Sequence, residues 1–255
     1  VGFFNYHMPP FLTVMGALFV LVALPILVSL LRERLYHGVL AATLSTLCQV
    51  PGYLFLALAA LIITIFWLDL PVTLGLKALD QLTHSYTFWD FICSCAEGGF
   101  VGGVLVALIL LANWLNYPRL VQVSKLSLMA SIYGGLANGV LKFILNRQRP
   151  AIGLDPWHFF AFFRSGAQHL NDLLYAYNSM PSGHTITTVA ALMPFYLAYP
   201  KKSVRLACIV WAVMVAFSRI YTINHWLSDV MVATILGIVL GRAIFKVNQG
   251  TINEV

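Results

Sequence analysis

The sequence predicts an all-α fold, a polytopic transmembrane helix bundle with a six-helix core and one extra helix before it. Three observations predict it. Sixty per cent of the residues are apolar or aromatic and only 9% are charged, against about 25% charged in an ordinary soluble domain. The apolar residues gather in runs close to the roughly 20 residues that a helix needs to cross hydrocarbon. Lysine and arginine are shared unevenly between alternate connections, as in membrane proteins. A soluble fold cannot cover such a chain with polar surface, so lipid serves as part of its solvent and the backbone must satisfy itself within helices.

Seven runs qualify in chain order: Phe11–Leu31, a long run ending near Trp67, Phe100–Leu115, Leu126–Leu145, Gly183–Tyr199, Val204–Phe217 and Val230–Ile244. The first is long enough to span and has no basic stretch before it, so a span is expected there rather than a cleavable leader. The second is interrupted by Gln49, Pro51 and Gly52, where a kink or a short interfacial approach is expected. Residues 1–50 are accordingly read as an N-terminal transmembrane or interfacial segment, and 51–250 as the bundle. The spacings Gly98/Gly102, Gly99/Gly103 and Gly135/Gly139 suggest close helix contacts, within one chain rather than between copies.

If all seven runs cross, one side receives Arg32, Arg34, Arg119, Lys125, Lys201, Lys202, Arg205, Arg242 and Lys246, with Glu33 and Glu254 as its acids. That side is expected to be cytoplasmic. The two longer outer segments, Asp69–Gly99 and Arg147–Pro181, are rich in aromatic rings, including Trp89, Trp157, Phe159 and Phe160. Such rings favour the headgroup level.

The net charge of +6 does not imply nucleic acid, because no basic stretch is long or dense enough. Cys48 and Cys208 fall in apolar runs, as buried thiols do. Cys93 and Cys95 form a CxC without a second pair, which does not make a metal site.

Three polar clusters sit at the outer ends of the last four helices: Lys142 with Arg149-Pro150, Pro181-Ser182-Gly183-His184, and Ser218-Arg219 with His225 and Asp229. Taken singly, each has a bland interpretation. The cations snorkel, Ser182 caps a helix, and His225 pairs with Asp229 to close one. Together they meet on one side of the membrane, under a topology derived from charge alone. Ionisable residues near the membrane interior point to function. Three cations, a hydroxyl, a helix start, two histidines and a carboxylate suit a tetrahedral oxyanion.

The chemistry suggests roles for each. Lys142, Arg149 and Arg219 neutralise phosphoryl oxygens, the arginines in bidentate fashion. Ser182 and the Gly183 N–H open a helix whose positive end attracts phosphate. His225 and Asp229, four residues apart, share a helix face. The carboxylate then orients one imidazole nitrogen and leaves the other as nucleophile. His184 protonates the leaving alkoxide and later activates water. No metal or other cofactor is required, since cations supply the electrostatic work and no carboxylate cluster is present.

The patterns K-x6-R-P, P-S-G-H and S-R-x5-H-x3-D resemble the three motifs of the type 2 phosphatidic acid phosphatase superfamily, with all eleven motif residues in order. A chance match is on the order of one in a million or less, taking each common residue at about one in twenty. The resemblance covers Lys142 to Asp229 directly and the six-helix core more loosely. It implies that 51–250 is a membrane phosphatase domain working through a phosphohistidine on His225, with His184 as acid and base and Asp229 orienting the nucleophile.

The expected substrate is a lipid phosphate or diphosphate in the membrane, with no protein partner implied. Undecaprenyl diphosphate has a slight edge because an outward-facing site in a bacterial inner membrane suits its recycling. Lipid A and phosphatidylglycerophosphate are the alternatives. A transporter or lipid-binding protein is the rival from another class, although transporters usually hold their charges near the midplane. Enzymes acting on soluble phosphate esters share this scaffold and form a second rival.

Overall fold

The computed structural model describes residues 37–48, 51–161 and 176–253. The expected helix Phe11–Leu31 and residues 162–175 of the long outer segment lie outside the described residues. In chain order the elements are α1 (Val39–Cys48), α2 (Pro51–Ile63), a π-helical turn (Thr64–Leu68), α3 (Asp69–Thr83), α4 (Tyr86–Ser94), α5 (Gly98–Trp114), α6 (Pro118–Leu145), α7 (Gly183–Ala198), α8 (Lys202–Tyr221), α9 (Leu227–Val247) and α10 (Gln249–Asn253). The fold is an all-α bundle and the chain is a multi-pass membrane protein. Phe55–Thr83, α6, α8 and α9 are each long and apolar enough to cross a bilayer, and α4 and α5, bent by 54° at a short break, are so only when taken together. Large apolar side chains such as Leu136, Val140, Phe143, Leu206 and Val213 point outward, as a lipid solvent allows.

Two expectations are corrected. The second apolar run does not end near Trp67. It continues through the π-helical turn and Asp69 to Thr83. A buried carboxylate ordinarily stops such a helix because the charge is costly to desolvate. Here Arg147 and Ser228 compensate it, as described below. The glycine spacings also lie elsewhere. A Cβ on Gly98, Gly99 or Gly139 would meet nothing within 4 Å, and one on Gly135 would make an ordinary contact with Thr187 Cγ2 at 3.8 Å. The close approach instead uses Gly237 and Gly241 of α9, where a Cβ would stand 2.8 Å from Val189 Cβ and 2.5 Å from Met193 Cβ.

That approach puts α7 at the centre, against α9, α6 and α8. Pro194 lies inside α7 and offers no N–H to the Ala190 carbonyl one turn back. A Cβ on Gly241 would stand 2.7 Å from that oxygen, so glycine is what lets α9 close over it. At its far end α7 is finished by two cations. Arg119 donates to Ala198 O at 2.9 Å and Arg205 to Tyr196 O at 3.3 Å, the favourable pairing for a helix C-terminus.

The opposite end of the bundle gathers the polar clusters. α6 stops where Asn146 adopts the left-handed conformation (φ 40°) and its N–H bonds to Lys142 O at 2.9 Å, a conformation asparagine tolerates. α3 reaches this same end. Asp69 meets Ser228 at the start of α9, and Asp80 accepts the Tyr221 hydroxyl at 2.9 Å at the end of α8. α4 and the turn after it pack on α8 through Ile92, Ala96 and Val215.

Candidate active site

Lys142 occupies the last turn of α6 and its Nζ donates to Asn178 O at 2.8 Å. Arg149 follows in the loop, held through its backbone N–H on Ala176 O at 2.8 Å. Its guanidinium reaches Asn178 O and Asn224 Oδ1, each at 3.4 Å. Arg219 is in the last turn of α8, buried, with Nη1 against Cys93 Sγ. Its Nε is buried without a hydrogen bond. The three cations therefore come from three separate elements.

Ser182 precedes α7 and is fully buried. Its hydroxyl accepts the Thr185 hydroxyl at 2.9 Å rather than a backbone N–H, so the expected side-chain cap is not made. Gly183 begins the helix beside Asn138, whose Nδ2 would lie 3.1 Å from an added Cβ. His184 is the next residue. Lys142, Arg149 and Arg219 lie near enough to both His184 and His225 for their charges to act on each ring. Like charges so gathered favour an anion between them.

His225 and Asp229 do not share a helix face as the i, i+4 spacing suggests. α9 starts at Leu227, and His225 lies in the turn before it with its N–H on Arg219 O at 3.2 Å. Asp229 sits in the first turn, where its Oδ2 accepts the Trp226 N–H at 2.9 Å. Capping thus brings the carboxylate back toward the histidine. Its Oδ2 stands 3.6 Å from His225 Nδ1, longer than a hydrogen bond. Burial holds the His225 pKa well below the usual histidine range. Asp229 opposes that shift, and Arg219, Arg149 and Lys142 reinforce it. The ring is therefore neutral at physiological pH, the form a nucleophile requires.

The motif reading missed two side chains that hold Asp229, Arg147 and Ser179, and two that stand behind Arg147, Asp69 and Ser228. Arg147 is completely buried and its Nη1 donates to Asp229 Oδ1 at 2.5 Å and to Ser228 Oγ at 2.7 Å. Its Nη2 donates to Asp69 Oδ2 at 2.7 Å, and Nε and Nη2 both reach Pro156 O. The guanidinium also lies over the rings of Phe159 and Trp226. Ser179 donates to Asp229 Oδ2 at 2.5 Å. Asp69 was detectable as a carboxylate inside an apolar run. Arg147 carried no such signal, since its distinction from Arg149 is only which way the turn after Asn146 sends it.

The motif-bearing region agrees with a family description. The family model described as the PAP2 superfamily matches residues 124–252, just over half of the chain. Over 69 residues the chain is 40% identical to a protein of Porphyromonas gingivalis described as a lipid A 1-phosphatase, a match covering 26% of this chain and 16% of that protein. The chain thus spans about a sixth of that relative's length. Among solved structures, the crystal structure of Aquifex aeolicus LpxE is similar with a TM-score of 0.47 and 20% identity, covering 63% of this chain and 85% of that one.

Proposed function

This chain belongs to the PAP2 superfamily, and from that premise we propose that it is an integral-membrane lipid phosphatase working through a phosphohistidine. The observation that carries the proposal is the cup itself. Lys142, Arg149 and Arg219 act on both imidazoles, and Asp229 stands at Nδ1 of His225. Nε2 of His225 attacks phosphorus while the P–O bond to the lipid breaks. His184, whose protonated form the bound phosphate dianion stabilises against the three cations, gives its proton to the departing oxygen. Water then loses a proton to His184, attacks the phosphohistidine and releases inorganic phosphate, which restores His225. The cations hold the phosphoryl oxygens through both steps, and the first-turn N–H groups of α7 add the positive end of a helix.

A lipid is favoured over a soluble ester by the surroundings. An apolar cavity of about 250 Å³ includes Thr188, Leu192, Cys95 and Trp211. It starts one turn along α7 from His184 and two residues from Cys93, the neighbour of Arg219, which suits an acyl chain beside a phosphate. The substrate we favour is a lipid A-type phosphate. The P. gingivalis relative supports it, and an outward site in a bacterial inner membrane serves it as well as undecaprenyl diphosphate, the second reading.

The test is phosphate release by purified protein from lipid A, undecaprenyl diphosphate and phosphatidylglycerophosphate, with His225→Ala as the control. Release that His225→Ala abolishes is expected, fastest on lipid A. A transporter or binding protein would leave all three lipids intact in both samples. Equal turnover of a short-chain soluble ester would count against the lipid reading.

A further inference from the structure

We propose that Asp69 and Arg147 are positioning residues which fix the Asp229 carboxylate and tune His225, so that α3, outside the matched family region, completes the catalytic centre. The inference rests on the phosphatase reading and deepens it. Neither residue touches the phosphate cup. They act through Asp229.

The geometry is a buried chain of charges. Asp69, Arg147 and Asp229 are each 0% exposed. Arg147 bridges the carboxylates with one nitrogen on each, 2.5 Å to Asp229 and 2.7 Å to Asp69. Among the described residues three donors meet Asp69. Oδ1 takes the Ser228 N–H at 2.9 Å, and Oδ2 takes the Ser228 hydroxyl at 2.5 Å together with Arg147. Donors at both oxygens offset part of the cost of burying the carboxylate. Ser228 is also the neighbour of Asp229, so Asp69 holds the first turn of α9 by backbone and side chain at once.

Two consequences follow from this arrangement. Asp229 cannot swing, because Arg147 fixes Oδ1 while Ser179 and the Trp226 N–H fix Oδ2. One guanidinium also balances only one of the two carboxylates. The remaining negative charge lies behind His225, where it favours the positive character that the ring acquires on attacking phosphorus. A guanidinium paired with Asp229 alone would cancel that charge. Asp69 is the counter-charge that keeps Asp229 effective. The groups acting directly on His225 are Asp229, Arg219, Arg149 and Lys142, so a change at Asp69 or Arg147 is read against a constant cup.

The experiment compares Asp69→Asn, Arg147→Gln and Ser228→Ala for kcat, KM and pH profile on a lipid phosphate. Both charge variants are expected to lose roughly 10- to 100-fold in kcat with KM changed less than about threefold, as removal of a group supporting the transition state predicts. The acidic limb should move in opposite directions, upward in Arg147→Gln and downward in Asp69→Asn. A purely structural clamp has no reason to produce opposite signs. Ser228→Ala removes no charge and should lower kcat without moving the limb. If the charge variants fail to fold, wild-type kcat in Ser228→Ala overturns the proposal. Titration of His225 by NMR in histidine-labelled, substrate-free protein reads the same effect where no lipid is turned over. Failure of wild-type hydrolysis therefore counts against the phosphatase reading alone, whereas an unmoved His225 titration in Arg147→Gln defeats the positioning role.

Discussion

Nδ1 of His225 faces Oδ2 of Asp229 across 3.6 Å, and that oxygen also receives the Trp226 N–H at 2.9 Å and the Ser179 hydroxyl at 2.5 Å. The carboxylate is thus a helix-start group turned to a second use. Its position is set by the backbone of α9, and the histidine is set by the turn that leads into it.

Asp229 orients rather than attacks, so Asp229→Asn should reduce kcat by about 10²- to 10⁴-fold while leaving residual turnover. The amide cannot accept from Arg147, Ser179 and Trp226 as two carboxylate oxygens do. Single-turnover phosphate release measures the loss, and an unaltered rate would remove Asp229 from the mechanism.

Acid should inactivate the enzyme late. The folded His225 pKa lies well below its ordinary value of about 6.5. The neutral, attacking form therefore persists at pH values where a free histidine is half protonated, and is lost only as pH falls through the lower folded value. In a plot of log kcat/KM against pH, the part of the acidic limb due to His225 is expected well below 6.5. Half-inactivation at or above 6.5 that His225 can be shown to cause would contradict this.

On the proposed mechanism Lys142, Arg149 and Arg219 supply the charge that a metal supplies in other phosphatases. Full activity is expected in excess EDTA, and inhibition by vanadate, which occupies the same cup as phosphate. Loss of activity in EDTA, restored by a divalent cation, would overturn the cationic account.

Packing of α7 on α9 offers a separate check. Gly241→Ala places a methyl 2.5 Å from Met193 Cβ and 2.7 Å from Ala190 O, and should cost about 1–3 kcal/mol as over-packing does. Gly98→Ala, with nothing within 4 Å, should be nearly neutral. Thermal unfolding in detergent distinguishes them, and equal melting temperatures would show that α9 can withdraw at no cost.

What was legible in the chain was whatever depends on composition and local spacing. The apolar runs announce helices because lipid leaves the backbone no other partner. Lys142, Arg149, His184 and His225 announced themselves as polar groups at the ends of those runs. The i, i+4 spacing of His225 and Asp229 gave the right pair for the wrong reason, since the contact is made across a helix start and not along a helix. Gly237 and Gly241 have the same GxxxG spacing as Gly98 and Gly102, and spacing does not say which pair meets a neighbour.

By itself the sequence determined a lipid-solvated helical chain carrying three polar motifs that read as an oxyanion site, since hydropathy and motifs are local properties. Only the tertiary structure decided that Arg147 turns inward between Asp229 and Asp69 while Arg149 faces the cup. The physical reason is that a buried charge is tolerated only where its counter-charges stand, and residues 78 and 82 positions away in the chain become neighbours only when the bundle has closed.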